Sequence, residues 1–138
     1  MKFFQCQPRP SGSESAPRYN GPMDWRQEYE DASDSERRKL DRIPVEQLLQ
    51  QVKSAQFGKY YNVWHSLGDR ATLHGAGWTL FRFLNSPADD PHRYHCAAAL
   101  LKLMRNTQLM PVDLSGPKRQ RNLEALRFQL EQAIGPER

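Results

Sequence analysis

From Pro44 onward, apolar side chains recur at helical spacing. In "PVEQLLQQVKSA" Val45, Leu48, Leu49 and Val52 fall at i, i+3, i+4 and i+7, which makes one apolar stripe on a helix that Pro44 opens at its first position. Gly58 then permits a turn, and "KYYNVWHSL" repeats the spacing through Tyr60, Val63, Trp64 and Leu67 before Gly68 closes it. "TLHGAGWTLFRFLNS" places Leu73, Gly77, Leu80, Phe81 and Leu84 on one face. Its glycines each lower helix propensity by ~1 kcal/mol but let a neighbouring helix come close. Pro87 stops that segment, and Asp90 with Pro91 supplies a cap and a first-turn proline for "HRYHCAAALLKLM". The run "NTQLMPVDLSGP" reads as a loop. Pro117 opens a last helix whose stripe is Leu123, Leu126, Leu130, Ala133 and Ile134, with Gly135 and Pro136 ending it. No segment sustains the period of two that a half-buried strand requires, so the predicted fold is all-α.

Before Pro44 the pattern is different. "QPRPSGSESAPRYNGP" has almost no apolar side chain, so ordering it would cost entropy that burial does not offset. Residues 1–22 are therefore predicted to be a flexible or extended leader, with Phe3, Phe4 or Tyr19 as its means of docking. Residues 23–43 form a charged segment. Trp25 and Tyr29 lie four apart and can share a helical face, while Ser33 and Glu36 have capping-box spacing that predicts a short helix through "SERRKLDR". Its apolar anchors are Leu40 and Ile43, so its charges read as a solvated face. Residues 44–138 carry the helical domain.

The domain contains an internal echo. "YYNVWHSL" from Tyr60 aligns with "RYHCAAAL" from Arg93 at an offset of 33 residues, and Leu48, Leu49 and Val52 precede Leu80, Phe81 and Leu84 by 32. Two copies of a helical hairpin are expected. The second copy, Leu80 to Leu103, resembles a HEAT repeat: an apolar first helix, a turn with Asp89 and Asp90, then Arg93, Cys96, Ala97, Ala99, Leu100 and Leu103 at the spacing of that family's second helix. The resemblance implies that the turn aspartate and the arginine support neighbouring repeats, and that the small residues let paired helices lie close. It departs in the first copy, where Tyr60 replaces the arginine and Trp64 an alanine. The expected architecture is a short HEAT-like solenoid of helical hairpins or a compact helical bundle.

Composition changes this picture only in part. The formal charge is +4, and the excess is thin: residues 41–110 hold eight basic and five acidic side chains, and residues 111–138 hold five and four. A nucleic-acid binder usually concentrates its cations, because each phosphate neutralised adds to affinity. The last helix, with Lys118, Arg119, Arg121 and Arg127, is the best basic candidate. Cys6 and Cys96 lie far apart and form no disulfide framework, and the cytoplasm is the expected compartment. No stretch reaches the ~18 apolar residues of a membrane span.

Candidate chemistry is sparse. His92 and Cys96 share a helical face at i and i+4, with His95 a quarter-turn from Cys96, so a helical metalloprotein is one reading. Further ligands would have to come from His65, His74 or carboxylates, and none has a recognised spacing. Cys96 fits better as a buried small hydrophobe. "HGAGW" lacks the strand before it and the Lys-Ser after it that a phosphate loop needs. No cofactor is expected, and no enzyme.

Tyr60, Tyr61, Trp64, Trp78, Phe81 and Phe83 are more aromatic surface than one helical face can bury. Beside Arg82 and Arg93 they resemble a binding hot spot. The leading expectation is a non-enzymatic interaction module that binds a protein partner through Tyr60, Tyr61, Trp64, Trp78, Arg82 and Arg93. The alternative is a nucleic-acid-associated regulator that uses the basic last helix.

Overall fold

The computed structural model describes residues 23–87 and 90–137. Among them are seven helices and no strand: α1 (Met23–Leu40), α2 (Val45–Lys53), α3 (Asn62–Arg70), α4 (Leu73–Leu84), α5 (Asp90–Met104), α6 (Pro111–Ser115) and α7 (Arg119–Ile134). The fold is all-α, as the hydrophobic periodicity predicts. The expected leader, residues 1–22 with Phe3, Phe4, Cys6 and Tyr19, lies outside the described residues, and so does Asp89. No helix among the described residues is long and apolar enough to cross a membrane.

The chain divides into two compact units, residues 1–35 and 36–138. In the first, residues 23–35 of α1 form a polar helix on which Trp25 and Tyr29 are exposed. Gln27 Nε2 donates to Asp31 Oδ1 one turn on, at 3.0 Å, and the Arg26 guanidinium lies 5.7 Å from the Trp25 ring. The capping box expected at Ser33 and Glu36 is not formed, because the helix runs continuously through Ser33. Strong helix formers such as Glu, Gln, Arg and Lys sustain such a segment without an apolar stripe.

In the second unit most positions of each predicted stripe become core, whereas Ala133 of the last stripe is exposed and Val45, Tyr60, Leu73 and Ile134 are half-buried. Leu48, Leu49 and Val52 of α2 are buried, as are Val63, Trp64 and Leu67 of α3, Leu80, Phe81 and Leu84 of α4, and Leu123, Leu126 and Leu130 of α7. On α5, Arg93, Cys96, Ala97, Ala99, Leu100 and Leu101 are all buried. That set spreads over more than one face of the helix, in keeping with the neighbours that cover it. Helix α2 packs on α3 and α4, α3 on α5, and α4 on α5 and α7, while α6 bridges α5 and α7.

Two expectations about this unit are corrected. Gly68 does not close α3, which continues to Arg70. A Cβ there would stand 3.4 Å from the Ala99 Cα, so this glycine is the point where α3 and α5 approach backbone to backbone. The expected loop between α5 and α7 contains α6, whose Leu114 is fully buried. The Met110 N–H donates to Asp113 Oδ2 at 2.7 Å and secures the start of this helix. Asn106 Oδ1 accepts from the N–H groups of Gln108 and Leu109 at 2.9 and 3.0 Å and turns the chain into it. Gly58, at φ +79°, makes the predicted turn. The Glu36 carboxylate accepts from the Lys59 N–H at 3.0 Å just after that turn.

Candidate functional site

The six residues expected at a partner surface separate into a buried pair and two surface groups. Trp64 and Arg93 belong to the interior, at 0% and 3% exposure, and so leave the expected surface. Trp64 lies on the face of α3 that meets other aromatic rings, with centroids 5.4 Å from Phe57 and 4.8 Å from Phe83. Its indole N–H donates to His92 Nδ1 at 3.1 Å, which satisfies the polar atom that a buried tryptophan carries inward. Arg93 Nη2 donates to the Ser86 carbonyl at 2.7 Å and so braces the end of α4.

One surface group lies along α3 and α5. Tyr61, half-buried, stacks on His95 with centroids 4.2 Å apart and planes 12° from parallel, and it meets His92 edge-on at 5.2 Å. His65 and Tyr94 approach His95 at 5.3 and 5.5 Å. Tyr60 is half-buried in the loop that leads into α3. Beside this cluster is a small groove of about 80 Å³, floored by Gly68 and Ala99 and flanked by His65, Asp69, His95 and Lys102. Burial, with the neighbouring His65 and His92, holds His95 below the usual histidine range.

The histidines do not assemble the metal site that the less favoured metalloprotein reading would need. Among the described residues no group of three or more His, Cys, Asp or Glu side chains converges to hold an ion. His92 Nδ1 is occupied by the Trp64 indole. Cys96 is fully buried, its Sγ 3.4 Å from the Leu80 carbonyl oxygen to which it donates, and burial pushes its thiol well above the ordinary range. A thiol held protonated in this way is a poor nucleophile and a poor ligand.

Near the groove an ionic network ties residues 36–43 to α3 and α5. Arg37 Nη2 lies 2.6 Å from Asp69 Oδ2, and Lys102 pairs with the other oxygen of Asp69. Hydrogen bonds from Lys102 and Arg37 hold the Asp69 carboxyl below its usual range. Arg70 donates to the carbonyls of Leu40 and Ile43 at 3.0 and 2.7 Å, the first of which also accepts from the Ile43 N–H at 3.0 Å, so it braces the turn that follows α1. Every charge in this network is engaged in bracing.

The other surface group lies on α4 and α7. Trp78 is half-buried and donates its indole N–H to the Gly135 carbonyl at 3.1 Å. Arg82 is exposed and pairs through Nε with Glu137 Oε2. From α7, Arg127 Nη1 reaches Glu137 Oε1 at 3.5 Å, and its guanidinium lies 5.0 Å from the Phe81 ring centroid and 6.0 Å from that of Trp78. Two residues expected at a partner surface, Trp78 and Arg82, thus join one expected to bind nucleic acid, Arg127. The remaining basic candidates lie at the start of α7. Lys118 and Arg121 are exposed, whereas Arg119 is half-buried with its Nε enclosed and without a hydrogen-bond partner.

No family model, curated protein or solved structure matches this chain. The α4–α7 face is therefore read from its own chemistry. It offers two guanidinium groups, an indole N–H and an aromatic floor, a set suited to holding a carboxylate and the peptide that carries it. Of the residues that hold the group together, Gly135 was marked in the sequence only as a helix stop, and Glu137 carries no motif that would single it out.

Proposed function

We propose that the chain is a non-enzymatic protein-interaction module, two HEAT-like hairpins with flanking helices, that binds a protein partner through its α4–α7 face. The observation that carries this reading is the convergence of Trp78, Arg82 and Arg127 at one place on the surface. Tryptophan and arginine are the residue types that dominate binding energy at interfaces. The pairing of α2 with α4 and of α3 with α5 supports the stacked-hairpin reading, because solenoid repeats contact their neighbours layer on layer. The basic set of α7 gains less support as a nucleic-acid surface, since Arg119 is half-buried with its Nε enclosed. A free Cys96 in an apolar core suits the reducing cytoplasm proposed as its setting.

Affinity capture from the native cell with quantitative mass spectrometry tests the proposal, with the wild-type chain compared against a Trp78→Ala/Arg82→Ala variant shown to be folded by circular dichroism. The reading requires that specific partners be depleted at least several-fold in the variant. If every captured protein is retained at its wild-type level, this face is not the binding surface.

A further inference from the structure

The surface assigned to a partner is not empty, because the chain lays its own residues across it. Beyond α7, Gly135 adopts φ +84°, a left-handed conformation that glycine enters without penalty and that turns the chain off the helix. The last residue of α7 and two features beyond it then meet α4 and α7. The Ile134 side chain lies over Gly77, where an added Cβ would stand 3.0 Å from its Cδ1. The Gly135 carbonyl accepts from the Trp78 indole. The Glu137 carboxylate is shared between Arg82 on one oxygen and Arg127 on the other. An apolar anchor, a backbone carbonyl and a carboxylate at fixed spacing are the elements by which a groove recognises a short linear peptide.

We propose that the α4–α7 face is a cradle for a short acidic peptide segment of a partner protein, and that the chain's own Gly135–Glu137 segment, which follows α7, occupies it in cis as a built-in competitor. The proposal rests on the reading of this face as the partner surface. Charge complementarity fixes the class of ligand, because two guanidinium groups over an aromatic floor favour a carboxylate and disfavour a basic segment. The hold is designed to be broken: the side chains of Arg82 and Arg127 are 48% and 43% exposed, and exposed ion pairs are weak and screened by salt. Tethering compensates, since a ligand on a short linker acts at an effective concentration on the order of millimolar. A competing segment meets a site that is free only part of the time, and its apparent affinity falls by that fraction.

The probe is the synthetic peptide Ala-Ile-Gly-Pro-Glu-Arg, which copies residues 133–138. It is titrated into the full chain by NMR, with the Trp78 indole N–H resonance as reporter, assigned by its loss in Trp78→Phe. In the wild type the peptide binds weakly. In Glu137→Gln, which vacates the carboxylate position, its Kd drops by about five- to tenfold. Binding is lost when Arg82→Ala and Arg127→Ala are added, and the same peptide with Gln in place of Glu does not bind. Glu137→Asp, which keeps the charge on a shorter arm, falls between wild type and Glu137→Gln, and melting curves establish that all variants are folded. Equal Kd values in wild type and Glu137→Gln overturn the self-occupancy, and binding that survives loss of both arginines overturns the cradle itself. If these titrations succeed while partner capture proves indifferent to Trp78 and Arg82, the cradle stands and the partner-surface reading falls. The reverse pattern rejects the peptide cradle together with its competitor and leaves the partner surface standing.

Discussion

Trp64 with Arg93, and Trp78 with Arg82, are two tryptophan–arginine sets that the molecule uses in opposite ways. The first set is enclosed. Trp64 has no exposed surface, and Arg93 turns its guanidinium onto a backbone carbonyl at the end of α4. The second set stands at the surface, and both of its members reach for groups beyond α7. Residue type does not separate them. What does is the presence of a neighbouring layer: α3 and α5 close on each other over Gly68 and Ala99, whereas among the described residues the outer part of the α4–α7 pair meets the short segment Gly135–Glu137. Burial is therefore concentrated in one set, while the other keeps part of its surface in solvent.

The sharpest way to break this comparison is to truncate both tryptophans. Trp64→Ala should cost about 3–5 kcal/mol of unfolding free energy in urea titration, as expected for removal of a fully buried large aromatic, while Trp78→Ala should cost about 1–2 kcal/mol. Equal losses would mean that the two sets do not differ as described. A smaller effect is expected at the close approach beneath the enclosed set. Gly68→Leu should destabilise by about 1–3 kcal/mol through overpacking against Ala99. Gly68→Ala should be near neutral, because its methyl meets the Ala99 Cα at 3.4 Å and the helix gains up to ~1 kcal/mol in propensity.

A weaker signature lies in pH. The folded pKa of His95 is depressed, by burial first and then by His65 and His92. As pH falls through the ordinary histidine value of about 6.5, the unfolded chain takes up a proton before the folded one does. The contribution of His95 is therefore complete above that value and is lost as pH falls toward the depressed native pKa. The melting temperature should drop between pH 7.5 and 5.5, and the drop should be smaller in His95→Gln. Asp69, also depressed, acts in a separate window: its contribution is present above the ordinary carboxylate value of about 3.9 and is lost only as pH falls below it. The smallest effect belongs to the exposed set, where Arg82→Ala should change stability by less than about 1 kcal/mol. A larger change would make this ion pair structural.

Helices with an apolar stripe were legible in the sequence because their periodicity is the same quantity that the core selects for, and α2, α4 and α7 bury most of the residues their spacing marks, Ala133 at the exposed end of α7 being the exception. Helix α1 was legible only at its end, since its first turns bury little and leave no periodic trace. Helix α6 is one short turn between a proline and a glycine, where loop signals dominate. Gly68 was misread because a helix end and a close approach both call for glycine, and only the position of Ala99 distinguishes them. The surplus of aromatic residues was visible, but its division between Trp64 inside and Trp78 outside depends on which helices pack together. The Glu137 contact joins residues 55 positions apart, a separation at which no local pattern survives.

The burial of α5 on several faces has a consequence for how the second unit opens. Since α3, α4 and α6 all rest on this helix, its backbone cannot reach solvent by fraying of any one neighbour. Amide protons of Ala97–Leu101 should therefore exchange with deuterium only when the whole unit unfolds, while those of α2 and α6 exchange through smaller, earlier openings. The slowest protons in the protein would then report the global stability of residues 36–138 directly, with no denaturant added.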